Sequence, residues 1–215
     1  CSSDLRKLQV PAQLSEPEIL DILESCGAFI RHSHIVYTSG LHGHSYMNKD
    51  ALYPHTHLTS KLCREIANRF SHDVIDVVLA PALGGIILSQ WVAHHLTELT
   101  GREVLAVYAE KDGESFMIKR GYDKLIEDKA VLVLEDVLTT GGSVKKVVEK
   151  VKACAGQVVA VAALCNRGGV SSQELGSPRL DSLVNVQWDA WPASECPLCA
   201  KGRPLNTAVG KAKKA

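Results

Sequence analysis

One continuous run constrains this chain more than any other: Val131-Leu132-Val133-Leu134-Glu135-Asp136-Val137-Leu138-Thr139-Thr140-Gly141-Gly142-Ser143. Four successive apolar residues predict a strand buried on both faces, as in parallel sheets. Two acids follow at its C-terminal end, where open α/β sheets bind their ligands. The Thr/Gly/Ser turn then feeds a helical pattern that begins near Val144. Such a turn presents free backbone N–H groups and the positive end of a helix dipole to a phosphate. Thr and Ser hydroxyls add donors, and glycine lets the backbone approach closely. The acids repel phosphate; they suit hydroxyls, or a cation that phosphates also bind. A ribose phosphate offers both kinds of group. The alternative, an ordinary N-capped turn, accounts for Ser143 but not for the paired acids.

The order of four hydrophobics, two acids and Thr-Thr-Gly-Gly-Ser resembles the phosphoribosyl-diphosphate (PRPP) motif of the type I phosphoribosyltransferases. That resemblance implies PRPP binding by Glu135, Asp136, Thr139, Thr140, Gly141, Gly142 and Ser143. No Gly-x-x-x-x-Gly-Lys-Ser/Thr occurs, and no Gly-x-Gly-x-x-Gly opens a βαβ unit.

The flanking pattern predicts the frame. Ser15 and Glu18 form a capping box for a helix that Gly27 stops. Phe29 to Tyr37 reads as a strand, Ser39 to Ser45 as a turn-rich loop, and Tyr46 to Leu52 as a second short strand. From residue 55 helices and strands alternate: helix from His57 to Phe70, strand from Val74 to Ala80, helix from Gly85 to Leu99, strand from Glu103 to Ala109. After the motif strand come a helix from Val144 to Ala155 and strands from Val158 to Cys165 and Leu183 to Val186. The expected fold class is α/β, a type I phosphoribosyltransferase-like parallel sheet flanked by helices, with a small N-terminal hood. A length of 215 residues suits one domain, the hood mainly residues 15–54 plus a C-terminal segment and the core about 55–190.

Three further segments carry chemistry. Ala80-Pro81-Ala82-Leu83-Gly84-Gly85 ends the first core strand and opens a helix, which brings a second set of N–H groups to the same sheet edge. The polar stretch around Glu110-Lys111-Asp112-Gly113-Glu114-Ser115 and Lys119-Arg120 is expected to be a long lid or a solvated hairpin. Asn166-Arg167-Gly168-Gly169 closes the strand after the motif helix, where a guanidinium suits a planar acid or carbonyl.

Seven cysteines and nine histidines raise the question of metal. Cys26, Cys63, Cys154 and Cys165 fit apolar patterns and read as free thiols of a reducing compartment. Cys196-Pro197-Leu198-Cys199 is a metal knuckle, a redox pair or a tight turn. No second pair follows it in sequence, so no structural zinc is expected. His42, His44, His55 and His57 read as surface or capping residues.

From Phe29 to Arg167 the chain resembles the orotate phosphoribosyltransferases. Ser39-Gly40 and Ser45-Tyr46-Met47-Asn48 are similar to their hood segment, and Arg167 stands where they place an orotate-binding arginine. The resemblance implies transfer of ribose 5-phosphate from PRPP to orotate in pyrimidine synthesis, with Tyr46, Thr139 and Arg167 on orotate. It also implies diphosphate binding by Ala82, Leu83, Gly84 and Lys111, with Asp136 and Lys111 as the catalytic pair. Mg²⁺ would be bound through PRPP and held by Glu135 and Asp136, and a homodimer would share its lid between subunits. Two departures stand out: Thr38 replaces a lysine common in the family, and only Glu110-Lys111 matches the usual lid. Transfer to another base such as a purine, or a PRPP-sensing regulator without turnover, remain alternatives.

A formal charge of zero implies no nucleic-acid surface. The absence of a long apolar run implies no membrane span. The expected setting is cytoplasmic, and the Lys211–Lys214 end is expected to be a frayed tail.

Overall fold

The computed structural model describes residues 13–210. Cys1 and the Lys211–Lys214 tail lie outside these residues. Helix α1 (Glu16–Ser25) starts as its capping box dictates, with the Ser15 N–H and hydroxyl both donating to Glu18 at 2.8 and 2.6 Å. The hood follows in short pieces: β1 (Phe29–Ile30), β2 (Ile35–Val36), β3 (His42–Gly43) and β4 (Tyr46–Met47). The single strand expected over Phe29 to Tyr37 is broken at His32, whose φ of 54° lies in the left-handed region. The loop expected over residues 39–45 contains β3, and the strand expected to reach Leu52 gives way to a 3₁₀ turn at Lys49–Ala51.

The main body runs α2 (Thr56–Arg69), β5 (Val77–Pro81), α3 (Gly84–Thr100), β6 (Leu105–Asp112), β7 (Ser115–Met117), α4 (Tyr122–Ile126) and β8 (Ala130–Leu138). It continues with α5 (Gly142–Ala153), β9 (Gln157–Asn166), α6 (Ser172–Leu175), β10 (Leu180–Asn185), β11 (Ala190–Trp191) and α7 (Pro197–Ala200). Gly101, at φ 68°, stops α3 in the left-handed conformation that its sequence position predicts. The segment expected as a lid or a solvated hairpin is a hairpin. β6 continues to Asp112, turns at Gly113 (φ 59°) and returns antiparallel as β7.

The sheet order is β10-β9-β8-β5-β6-β7, and every pair except β6–β7 is parallel. Alternation along β8 divides the core. Leu132 and Leu134 join one apolar layer with Leu62 and Ile66 of α2 and Leu88 and Val92 of α3; Val131 and Val133 join the other with Val144, Val147 and Val151 of α5. Both layers are fully buried along β8, so truncating Leu132 to Ala would cost about 2–5 kcal/mol. The C-terminal segment returns to the hood, where β11 pairs with β3 and β3 with β2, both antiparallel. The carboxyl ends of β5, β8 and β9 therefore share one edge beneath the hood.

Candidate active site

Strand β8 does not stop before the acids. Its register with β9 continues through Glu135↔Ala163, Val137↔Cys165 and Leu138↔Asn166. The acids are thus the last residues but two of a pleated strand, and successive side chains of a strand point to opposite faces. Glu135 lines a cavity of about 140 Å³ with Val137 to Val144. Asp136 lines a different cavity, about 320 Å³, with Tyr37, Tyr46, Lys49, Thr139 and Arg167.

The first cavity is a cradle of backbone at the start of α5. Gly141 caps α5 at φ 71°, and a side chain there would press on Leu175 at 2.6 Å and Val170 at 3.0 Å. The N–H groups of the first turn of α5 have no intrahelical partner and open toward this space.

Asp136 sits at the junction of the site and is only 4% exposed. One carboxylate oxygen accepts the Val137 N–H at 2.7 Å; the other accepts the Tyr53 hydroxyl at 3.1 Å and pairs with the Lys49 ammonium. Gly84 crowds the same oxygen. A Cβ at Gly84 would run into Asp136 and lie 2.9 Å from both Lys49 Nζ and Tyr53 Oη. Glycine is therefore what lets the loop after β5 meet β8.

Burial, reinforced by the neighbouring Asp136 charge, pushes the Glu135 carboxyl up to about 8. Burial works against the Lys49 charge, but the Asp136 carboxylate outweighs it and holds the ammonium above its ordinary range. The Tyr53 phenol is pushed up by burial and then by Asp136, so it remains a donor.

A third cavity, about 760 Å³, is lined by Ala82, Leu83, Gly84, Lys49, Lys111 and Arg120. The Ala82–Leu83 peptide bond is cis. Arg120 is paired with Glu110 at 2.6 Å, whereas Lys111 is exposed on the hairpin. Lys49 borders the second and third cavities alike.

Arg167 lines the second cavity. Its guanidinium carbon is 5.4 Å from the Tyr37 ring centre and 5.5 Å from that of Trp188, a position that cation–π attraction favours. Two backbone bonds fix its loop, from Arg167 N–H and Gly168 N–H to the Leu138 carbonyl at 3.0 and 3.2 Å. Gly168 packs on the Thr139 carbonyl so closely that no Cβ fits. The Leu138↔Asn166 pairing sets Thr139 and Arg167 side by side, one residue past each strand. Tyr37 itself is anchored by its hydroxyl to the Ser45 carbonyl at 2.7 Å.

The residues expected from sequence thus divide into three neighbouring groups. Glu135 and Thr139 to Ser143 form the cradle; Tyr46, Thr139, Asp136 and Arg167 share the second cavity; Ala82, Leu83, Gly84 and Lys111 share the third. Glu135 and Asp136 are adjacent in sequence yet face different cavities. Lys49, Tyr53, Trp188 and Gly210 escaped the sequence reading, although Lys49 directly follows the Ser45-to-Asn48 segment and offered a signal.

Residues 48–196 match the family described as "Phosphoribosyl transferase domain". The orotate phosphoribosyltransferase of Desulforamulus reducens is 36% identical over 191 residues, 89% of this chain and 95% of that protein. That of Caldicellulosiruptor saccharolyticus is 37% identical over 172 residues, covering 80% and 85%. Among solved structures, the Mycobacterium tuberculosis orotate phosphoribosyltransferase in complex with PRPP has the same fold, with a TM-score of 0.60 at 20% identity over 80% of this chain and 96% of that one. The matched segment, the relatives that align over nearly their whole length and the shared fold agree: this chain belongs to the phosphoribosyltransferase family, among the orotate phosphoribosyltransferases.

Proposed function

We propose that this chain transfers the ribose 5-phosphate of PRPP to orotate, releasing diphosphate and forming orotidine 5′-phosphate. The observation that carries the reading is the meeting of three cavities at the ends of β5, β8 and β9. One offers backbone donors, one offers cations, and one offers Arg167 between aromatic rings.

The bond that breaks joins the anomeric carbon to diphosphate, so positive charge develops on the ribose while negative charge grows on the leaving group. The 5-phosphate lies in the Thr139–Ser143 cradle. Glu135 and Asp136 flank the sugar and favour its positive charge. The diphosphate lies against the loop of Ala82, Leu83 and Gly84, where Lys49 and Lys111 stabilise its charge as it departs. The ring nitrogen of orotate that bonds the anomeric carbon gives up its proton to water or to the departing diphosphate, so no dedicated side-chain base is assigned; Arg167 holds the orotate carboxylate or carbonyls through charge-assisted bonds, with Tyr46 and Thr139 beside it. Glu135 and Asp136 offer hard carboxylate oxygens, the donors Mg²⁺ takes together with substrate phosphates. Held by these carboxylates and the substrate, Mg²⁺ would supply positive charge to offset that of the diphosphate.

In this reading one domain, residues 1–215, combines the hood with the core, and a homodimer presents each hairpin to its neighbour's site. The buried free thiols Cys63 and Cys165 support a reducing, cytoplasmic setting. Among the described residues no helix is long and apolar enough to cross a membrane. The test is diphosphate release from PRPP and Mg²⁺ with orotate, uracil, adenine or hypoxanthine. Turnover is expected with orotate alone, and turnover with a purine alone would reject the assignment.

A further inference from the structure

The Cys196–Cys199 pair, which lacks further ligands nearby in sequence, has them in space. His34, just before β2, and His42, in β3, converge on it from more than 150 positions away. His42 is therefore not a surface residue: it is 8% exposed, and His34 and Cys196 are each 2% exposed. His34 Nε2 lies 2.9 Å from His42 Nδ1, 3.5 Å from Cys196 Sγ and 3.6 Å from Cys199 Sγ. Cys199 Sγ is 3.3 Å from His42 Nδ1. All four ligand atoms lie within 4.8 Å of one another.

We propose that His34 Nε2, His42 Nδ1, Cys196 Sγ and Cys199 Sγ form a closed, structural zinc site. Zinc bonds of about 2.0–2.1 Å to nitrogen and 2.3 Å to sulfur set tetrahedron edges of roughly 3.4–3.8 Å. The His34-to-sulfur separations of 3.5 and 3.6 Å fall within that range, the 3.3 Å from His42 to Cys199 lies at its lower edge, and the 2.9 Å between the two ring nitrogens must widen by about half an ångström to admit the ion. The chemistry of the set is also right, since two thiolates and two imidazoles select zinc over magnesium or calcium. His34 is already oriented as a ligand. Its Nδ1–H donates to the Arg203 carbonyl at 2.7 Å, which leaves the Nε2 lone pair facing the cluster. Cys196 caps the short α7 turn, and the exposed Cys199 gives the ion a way in.

A purely hydrogen-bonded cluster is the competing arrangement. It requires His42 Nδ1 to carry a proton aimed at His34 Nε2, and both sulfurs to remain thiols. Binding zinc removes two thiol protons and leaves both imidazoles neutral, so the step releases protons and needs no redox partner.

The position of the cluster gives the ion a purpose. It ties the C-terminal segment to the hood between β2 and β3. Immediately beyond it, Asn206 N–H donates to the His34 carbonyl at 2.7 Å and the Asn206 amide to the Ser33 hydroxyl at 3.0 Å. β2 leads directly into Tyr37 and Thr38, and the C-terminal segment leads to Gly210; all three line the cavity assigned to the base. Zinc would therefore hold one wall of that cavity from behind without touching substrate.

The test uses the full chain, purified without added metal or chelator. Elemental analysis is expected to find one zinc per chain. Cobalt substitution is expected to give thiolate-to-cobalt charge-transfer bands that Cys196→Ser abolishes. Cys199→Ser should weaken zinc binding by more than the roughly 10- to 100-fold that loss of an outer partner orienting a ligand costs. Cys199→His, which preserves four ligands, should retain the metal and so separates loss of zinc from failure to fold. A chelator should lower the unfolding temperature of wild type and leave that of the Cys196→Ser, Cys199→Ser double variant unchanged. Wild type that neither contains zinc nor takes up one equivalent would overturn the proposal. So would a double variant that keeps its zinc, or a Cys196–Cys199 disulfide in protein isolated under reducing conditions.

Discussion

The phosphate cradle and the cavity assigned to the base are neighbours, yet they are built in opposite ways. The cradle is a single stretch, Glu135 to Val144, and its donors are backbone N–H groups at the start of α5. The base cavity collects side chains from the hood (Tyr37, Tyr46, Lys49), from β8 (Asp136), from the loop after β9 (Arg167) and from the C-terminal segment at Gly210. A backbone cradle needs only the right turn, so its side chains contribute secondary donors. A cavity made of side chains depends on each one, and on whatever holds the segments together. Phosphate binding should therefore survive single truncations that remove base binding.

The largest break in this contrast is expected at Asp136, on the base-cavity side of the end of β8. Asp136→Asn removes the carboxylate that pairs with Lys49 and accepts from Tyr53. Losing charge-assisted bonds of about 1.5–3 kcal/mol should lower turnover roughly 10- to 150-fold. Near-normal turnover in that variant would remove Asp136 from the mechanism.

A smaller effect is expected at Glu135, and it concerns stability. Its carboxyl is raised to about 8 in the folded chain from an ordinary 4.5. As pH rises through that window the unfolded chain gives up the proton and the folded chain keeps it, so unfolding becomes easier. The penalty is absent below the lower value and fully developed above the upper one. Glu135→Gln removes it. The advantage of the variant over wild type should therefore grow steadily from pH 5 to pH 8. Denaturant titrations at pH 5 and pH 8 check this; an equal difference at both values would contradict the buried, proton-holding Glu135. PRPP and Mg²⁺ should also release a proton on binding near neutral pH.

The smallest change is expected at Lys111, which is exposed on the β6–β7 hairpin. Lys111→Ala should lower kcat about three- to ten-fold and leave orotate affinity unchanged, because its charge is wanted where diphosphate leaves. Loss of orotate affinity without loss of kcat would move Lys111 to the base side.

These differences track what the sequence makes legible. The cradle is contiguous, so its residue order alone carries the turn, the donors and the acids. Helix α1 is equally local, written in Ser15 and Glu18. The end of β8 was less legible, because it is fixed by pairing of Val137 and Leu138 with β9 rather than by its own apolar run. The hood escaped most completely. Its strands are two residues long, too short for any periodicity, and exist only through pairing between separate segments: β1 with β4, and β3 with β2 and the returning β11. Lys49 on Asp136, Trp188 on Arg167 and the two histidines beside Cys196 and Cys199 are all contacts between distant segments. No spacing in the chain announces them.

The central claim is that PRPP is held chiefly by a backbone cradle and the base by side chains of assembled segments. Titrating wild type and Arg167→Ala with orotate and with PRPP, each at saturating Mg²⁺, tests it most directly. Removing a guanidinium–carboxylate contact of about 1.5–3 kcal/mol should weaken orotate roughly 10- to 150-fold while PRPP affinity stays within about three-fold. Equal orotate affinity in the two proteins, or an equal loss of PRPP and orotate, would contradict the division of labour between the two cavities.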